Sequence, residues 1–121
     1  MEKIFDTTVI AIGPEAPAMI SDANMLILFG SEAPEDLAEY CYKIDNKDLS
    51  GQIAKGGQLK VGEHIYPITA VGAVVDQNLK ALGHITISLD GSSEESLPGT
   101  LHVQGDNNLT ISEGTRIQIL I

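Results

Sequence analysis

Apolar and polar residues alternate along several short stretches of this chain, and the alternation predicts β-strands. Every second residue is aliphatic within Gln58–Val61, His84–Asp90, Thr100–Gln104 and Arg116–Ile121. A period of two places those side chains on one face of a strand. Further strands are predicted at Thr7–Ile12, Met25–Phe29, Cys41–Asp45 and His64–Val71. Short strands separated by glycine-containing turns are typical of a barrel or sandwich, and we expect a mainly β fold: a small β-barrel of short, mostly antiparallel strands.

The pattern changes in two places, where it favours helix. One short helix is predicted at about residues 31–41, because Pro34 lies in its first turn and Leu37 and Tyr40 are three residues apart on one face. Acidic residues follow Pro34, where they favour the positive end of the helix dipole. A helical turn is predicted near residues 76–82.

The length of 121 residues fits one domain, predicted to span residues 1–121. The chain ends within an apolar strand that must pair with another strand, so we expect removal of residues 117–121 to damage the fold. No apolar run reaches the roughly 18 residues that a membrane helix needs. The first residues lack the pattern of a signal peptide, and we therefore expect a cytoplasmic protein.

The charge balance excludes some partners. With 7 basic and 17 acidic side chains the formal net charge is −10, which argues against nucleic acid and anionic membranes as partners. A basic protein partner fits this charge, and Glu94–Glu95 is interpreted as part of a solvated loop. The single cysteine, Cys41, excludes an internal disulfide and a cysteine-based zinc site, and is interpreted as a small buried hydrophobe. Histidine spacing gives no metal-site signal, so no metal is expected.

No phosphate-binding glycine loop and no nucleophile elbow are present, so the candidate chemistry depends on three histidines. His64 follows a turn, as either an ordinary turn residue or an accessible nucleophile oriented by Glu63. His84 begins the polar face of a strand, and the preceding Gly83 is expected to leave its approach open. His102 lies on the polar face of a second strand. If these two strands are neighbours, the imidazoles of His84 and His102 could converge.

Several blocks of sequence carry a family resemblance in order and spacing: Asp6–Gly13, Met25–Phe29, Ala33–Cys41, Gly62–Gly72, Asn78–Thr86, Asp90–Gly91 and Leu97–Val103. Together they resemble the glucitol/sorbitol-specific enzyme IIA family of the bacterial phosphoenolpyruvate-dependent sugar phosphotransferase system. The resemblance extends from about residue 4 to residue 119 and so covers nearly the whole chain.

The resemblance implies a phosphoryl carrier that acts through a phosphohistidine intermediate. Such a protein accepts a phosphoryl group from the small histidine phosphocarrier protein. It passes the group to the IIB part of a membrane permease, whose IIB and IIC parts take up and phosphorylate a hexitol. The resemblance implies no bound cofactor. The acidic surface would steer a carrier with a basic docking face, and exposed strand edges would favour a homodimer.

One position departs from the family pattern. The resemblance places the phosphorylated histidine about three residues beyond Cys41, where this chain has Ile44, which cannot accept a phosphoryl group. Either another histidine is the acceptor, in the order of preference His84, His64, His102, or the chain is a degenerate interaction module that docks without being phosphorylated. Sugar binding is less favoured, because only 4% of residues are aromatic. Hydrogen-bond partners expected for an acceptor are Asn78, Thr86 and Thr100.

Overall fold

The computed structural model describes residues 1–121 as a closed eight-stranded barrel with three short helices. The strands are β1 (Lys3–Ile12), β2 (Met25–Gly30), β3 (Tyr42–Ile44), β4 (Gln58–Val61), β5 (His64–Val71), β6 (Ile85–Ser88), β7 (Thr100–Val103) and β8 (Arg116–Leu120). Around the barrel their order is β1-β3-β2-β6-β7-β5-β4-β8. The β2–β3 and β6–β7 pairs are parallel and the others antiparallel. The predicted barrel of mostly antiparallel strands is confirmed.

The inward-facing aliphatic side chains form one continuous core. The predicted alternation in β6 and β7 is present, since Ile85, Ile87, Leu101 and Val103 are all buried with at most 1% of their surface exposed. The same cluster includes side chains from every strand and from two of the helices. Because alternate residues fill the interior, the intervening residues of each strand face outward, and the candidate histidines of β6 and β7 lie on that outer side.

Strand β8 closes the barrel. It pairs antiparallel with β1 on one side and with β4 on the other. Its alternate residues Ile117 and Ile119 are buried in the core. A closed barrel leaves no unpaired sheet edge, so the edge pairing that led us to expect a homodimer is not available in this fold.

The helices differ from the predictions in number and length. Helix α1 (Ala16–Ala23) was not predicted; it carries Pro17 in its first turn. Proline in the first turn costs no hydrogen bond, since the first N–H groups of a helix have no intrahelical acceptor. The helix packs on the barrel through Ala16 and Ile20, and Asn24 ends it in the left-handed conformation at φ +59°.

Within the predicted helix at residues 31–41, only Glu35–Ala38 is helical (α2). Pro34, predicted to lie in the first turn, is instead the residue just before the helix. Leu37 and Tyr40 are 48% and 43% exposed, and no residue of α2 is buried. A short helix without a buried face gains little from packing, so it does not extend further. The helical turn near residues 76–82 is confirmed as α3 (Val75–Leu82). No helix is both long and apolar enough to cross a membrane.

We expect Ile117→Ala to destabilise the protein strongly, because Ile117 is fully buried in the strand that closes the barrel. The loss in unfolding free energy should be about 2–5 kcal/mol, measured by urea denaturation. Gln118→Ala, on the outer side of the same strand, is the matched control and should cost less than about 0.5 kcal/mol. Equal losses in the two variants would contradict the inward placement of Ile117.

A second prediction concerns the ion pair between β1 and β8. Asp6 accepts hydrogen bonds from Arg116 and from Lys3, and the Arg116 guanidinium holds the pKa of Asp6 at about 2, below its ordinary 3.8. A carboxyl whose pKa is lower in the folded state stabilises the fold above its unfolded pKa, and this contribution is lost as the pH falls through the folded pKa.

We therefore expect Arg116→Gln to lower stability at pH 7 by less than about 1 kcal/mol, since the pair is largely exposed. The difference in unfolding free energy between Arg116→Gln and the unsubstituted protein should shrink as the pH falls from 3.8 toward 2. Lys60→Gln, which makes the same change of charge on β4, should show no such convergence. Urea denaturation at several pH values measures both variants, and a difference that stays constant down to pH 2 would refute the assignment.

Candidate functional site around His84

His84 is held by the junction between α3 and β6. Gly83 ends α3 in the left-handed conformation at φ +70°, and its N–H donates to the carbonyl of Leu79 at 2.9 Å. A Cβ on Gly83 would lie 2.7 Å from the backbone nitrogen of Gly30. Gly83 therefore lets the chain pass close to β2. The backbone of His84 is thereby fixed against that strand.

The imidazole of His84 has a defined tautomer and a free nitrogen. Its Nδ1 lies 3.3 Å from the carbonyl oxygen of Leu28. A carbonyl oxygen only accepts, so in the neutral imidazole Nδ1 carries the proton and Nε2 keeps its lone pair. The ring of Phe29 stacks on the imidazole with a centroid distance of 4.6 Å and an interplanar angle of 26°. His84 is only partly buried and lines a cavity at the surface, so its oriented ring can be approached from outside.

A shallow, mostly apolar cavity of about 360 Å³ adjoins His84. The residues that line it with His84 are Met19, Ile27, Leu37, Tyr40, Cys41 and Thr86. The exposed side chains of Leu37 and Tyr40 form its rim. Cys41 is buried, and burial raises the pKa of its thiol to about 11. The thiol is therefore protonated at neutral pH and does not compete with the imidazole as a nucleophile.

His64 is placed differently. It is exposed at the start of β5 and stacks on Tyr66 with a centroid distance of 6.0 Å. No hydrogen bond orients its ring, and none joins it to Glu63. This arrangement matches the interpretation of His64 as an ordinary turn residue.

His102 is buried, with 3% of its surface exposed, and both ring nitrogens are occupied. Nδ1 lies 2.9 Å from Oδ1 of Asp90, and Nε2 lies 2.8 Å from Oγ of Ser96. Partial burial raises the pKa of Asp90, but hydrogen bonds from the backbone of Ser92 and from His102 outweigh it, so the net pKa is below its ordinary value. His102 was a candidate from the sequence, but Asp90 and Ser96 were not, because they lie at the end of a predicted strand and in the acidic loop that was interpreted as solvated.

The imidazoles of His84 and His102 do not converge. Their strands are neighbours, as the hypothesis required, but β6 and β7 run parallel with Ser88 opposite His102. His84 lies four residues before Ser88, a separation of about 13 Å along the strand. The side chains expected as hydrogen-bond partners do not bond to a histidine ring. Asn78 contributes only its backbone carbonyl, which accepts the backbone N–H of His84 at 3.3 Å. No hydrogen bond joins Thr86 or Thr100 to an imidazole.

Position 44 lies next to the His84 site. Ile44 points from β3 into the core with none of its surface exposed. Its Cδ1 would lie 3.6 Å from a Cβ on Gly83, the residue before His84. Ile44 and Phe29 also line a second cavity, of about 630 Å³. Because Phe29 lines that cavity and also stacks on His84, its ring separates the second cavity from the imidazole.

The second cavity is bordered by charged groups. Asp45 accepts hydrogen bonds from the hydroxyl of Thr7 at 2.8 Å and from the N–H of Thr8 at 3.1 Å. Burial opposes ionisation of Asp45, but these hydrogen bonds lower its pKa overall. Lys47 reaches across to the carbonyl of Ala81 at 2.8 Å, which ties the β3 end of the cavity to α3. The cavity beside position 44 therefore carries a carboxylate and an ammonium group.

Comparisons with known proteins identify the family of this chain. Residues 4–118 match the family model of the PTS system glucitol/sorbitol-specific IIA component. The chain is 46% identical over 105 residues to the PTS system glucitol/sorbitol-specific EIIA component of Shigella flexneri, covering 87% of this chain and 85% of that protein. The protein of the same name from Escherichia coli (strain K12) gives the same identity and coverage.

A solved structure has the same fold. The crystal structure of a PTS system IIA component from Enterococcus faecalis V583 superposes with a TM-score of 0.81 at 29% sequence identity. The match covers 97% of this chain and all of that chain. The family model spans nearly the whole sequence, and the relatives exceed 40% identity over most of it. The chain therefore belongs to the glucitol/sorbitol-specific IIA component family of the phosphotransferase system.

Proposed function

We propose that this phosphoryl carrier of a hexitol phosphotransferase system uses Nε2 of His84 as its phosphoryl acceptor. The observation that carries the proposal is the hydrogen bond from Nδ1–H to the Leu28 carbonyl, because it directs the lone pair of Nε2 outward. His64 lacks an orienting hydrogen bond, and both nitrogens of His102 are engaged. His84 is the only one of the three that is oriented and has a free nitrogen.

The transfer step needs little from the protein besides position. Nε2 attacks the phosphorus of the phosphohistidine on the phosphocarrier, a nitrogen–phosphorus bond forms, and the bond to the donor imidazole breaks. Phe29 on one face of the ring and Leu28 at Nδ1 hold the imidazole in line for this attack. The Leu28 carbonyl also stabilises the positive charge that the phosphorylated ring acquires at Nδ1–H. The reverse geometry delivers the group to the next acceptor.

The surface around His84 supports protein partners rather than a small substrate. Leu37 and Tyr40 are exposed beside it, and the cavity is shallow and largely apolar. An apolar rim on a chain of net charge −10 suits a protein with a complementary basic surface around an apolar centre. We propose the histidine phosphocarrier as donor and the IIB part of a IIB/IIC hexitol permease as acceptor. A cytoplasmic location follows, because phosphoenolpyruvate is available inside the cell.

A second function is favoured by position 44. There Ile44 occupies the place expected for the family's phosphorylated histidine and is fully buried. A chain that has lost its acceptor but kept the docking face would bind the same partners without carrying phosphate. The two functions make opposite predictions for labelling and the same prediction for binding, so one experiment separates them.

We expect His84→Gln to abolish phosphoryl labelling. The protein is mixed with radiolabelled phosphoenolpyruvate, enzyme I and the phosphocarrier, and acid-labile label is counted. Glutamine preserves a side-chain N–H for the Leu28 carbonyl but has no nucleophilic nitrogen. His64→Gln is the matched control, since it removes an exposed histidine that makes no hydrogen bond, and it should label as the unsubstituted protein does.

Three outcomes are decisive. Full labelling of His84→Gln together with loss in His64→Gln or His102→Gln would move the acceptor to that residue. No labelling of the unsubstituted protein, with phosphocarrier binding retained, would establish the interaction module instead. Labelling restored or increased in Ile44→His, against an unlabelled parent, would identify position 44 as the site that this chain has lost.

A further inference from the structure

The side chains of Ser96, His102 and Asp90 form a hydrogen-bonded triad that the phosphoryl carrier function does not use. The oxygen Oγ of Ser96 lies 2.8 Å from Nε2 of His102, whose Nδ1 lies 2.9 Å from Oδ1 of Asp90. A carboxylate accepts, so in the neutral imidazole the proton is on Nδ1 and Nε2 accepts a hydrogen bond from the hydroxyl of Ser96. A serine paired with a histidine that a carboxylate orients is the arrangement that activates a hydroxyl nucleophile.

Each member of this triad is held by a different part of the fold. His102 is in β7, opposite Ser88 of β6 and Ala70 of β5, so its backbone is held between two paired strands. Asp90 forms an isolated β-bridge with Gln104 and accepts the Ser92 N–H at 3.0 Å. The imidazole is therefore anchored in the barrel wall, and its tautomer is set by a fixed carboxylate.

The serine itself is accessible. Ser96 lies in the exposed loop between β6 and β7, whereas the imidazole behind it is 3% exposed. The backbone N–H of Leu97, directly after Ser96, donates to no backbone carbonyl, and neither does that of Gly99. The N–H of Leu97, in the residue after the nucleophile, is the candidate donor to the oxyanion that forms during acyl transfer.

We propose that Ser96 is an activated nucleophile that reacts with small, neutral or cationic carboxylic esters. The oxygen attacks the ester carbonyl while its proton passes to Nε2 of His102. The carbon–oxygen bond to the leaving alcohol then breaks, and the alcohol takes that proton. Water, deprotonated by the same nitrogen, hydrolyses the acyl-serine. Glu94 and Glu95 precede the serine and repel anionic esters, whereas Leu97, 68% exposed, offers an apolar contact.

A fluorophosphonate with a short alkyl chain tests the nucleophile directly. Ser96 attacks phosphorus, fluoride leaves, and the hydroxyl proton goes to His102, so the product is a stable phosphonyl-serine that mass spectrometry locates. We expect labelling at Ser96, none in Ser96→Ala, and a rate roughly 100-fold lower in His102→Gln. Ser93→Ala, in the same loop, is the matched control and should label at the normal rate. p-Nitrophenyl acetate should give a burst of nitrophenolate that depends on Ser96.

Asp90→Asn provides a second variant in case His102→Gln does not fold. Because Asp90 is 45% exposed, its replacement should slow labelling less than that of His102. His84→Gln should label at Ser96 normally, which keeps this test independent of the phosphoryl carrier proposal. Labelling of Ser96 that is no faster than that of Ser93, or a rate unaffected by both His102→Gln and Asp90→Asn in folded protein, would overturn the proposal.

Discussion

The pairing of β8 with both β1 and β4 is the constraint on which the rest of this structure depends. This pairing turns a sheet into a closed barrel, and closure divides every strand into an inner and an outer row of side chains. The inner rows of β6 and β7 are aliphatic and fully buried. The candidate histidines therefore lie outside the core: His84 directly before β6, and His102 on β7 opposite the last residue of β6.

The strand pattern was predictable because it depends on local alternation. The bounds of β4 and β5 agree with the sequence prediction, and β6, β7 and β8 differ from it by one or two residues at their ends. The helices were less predictable, because their length depends on packing. Helix α1 exists since Ala16 and Ile20 meet the core, and α2 stays short since nothing covers Leu37.

The candidate site was predictable only as a set of histidines. Sequence order indicates that His84 begins a strand, but its partner Leu28 is 56 residues away and becomes adjacent only when β2 pairs with β6. The partners of His102 are nearer in sequence, yet a loop must fold back over β7 to bring Ser96 to it. Neither contact can be inferred from the spacing of residues along the sequence, so only the structure distinguishes the three imidazoles.

The two outward histidines have the same tautomer, with the proton on Nδ1, and differ in what faces Nε2. At His84 a backbone carbonyl accepts the hydrogen bond from Nδ1–H, and the ring lines an open cavity. The imidazole itself is therefore the nucleophile in the proposed phosphoryl transfer. At His102 the acceptor is a carboxylate and Nε2 is covered by a hydroxyl, so the imidazole is a base toward Ser96. In the two proposed functions, the same side chain accepts a phosphoryl group at one end of the β6–β7 pair and activates a hydroxyl at the other. What decides between them is whether the loop that follows β6 covers the ring.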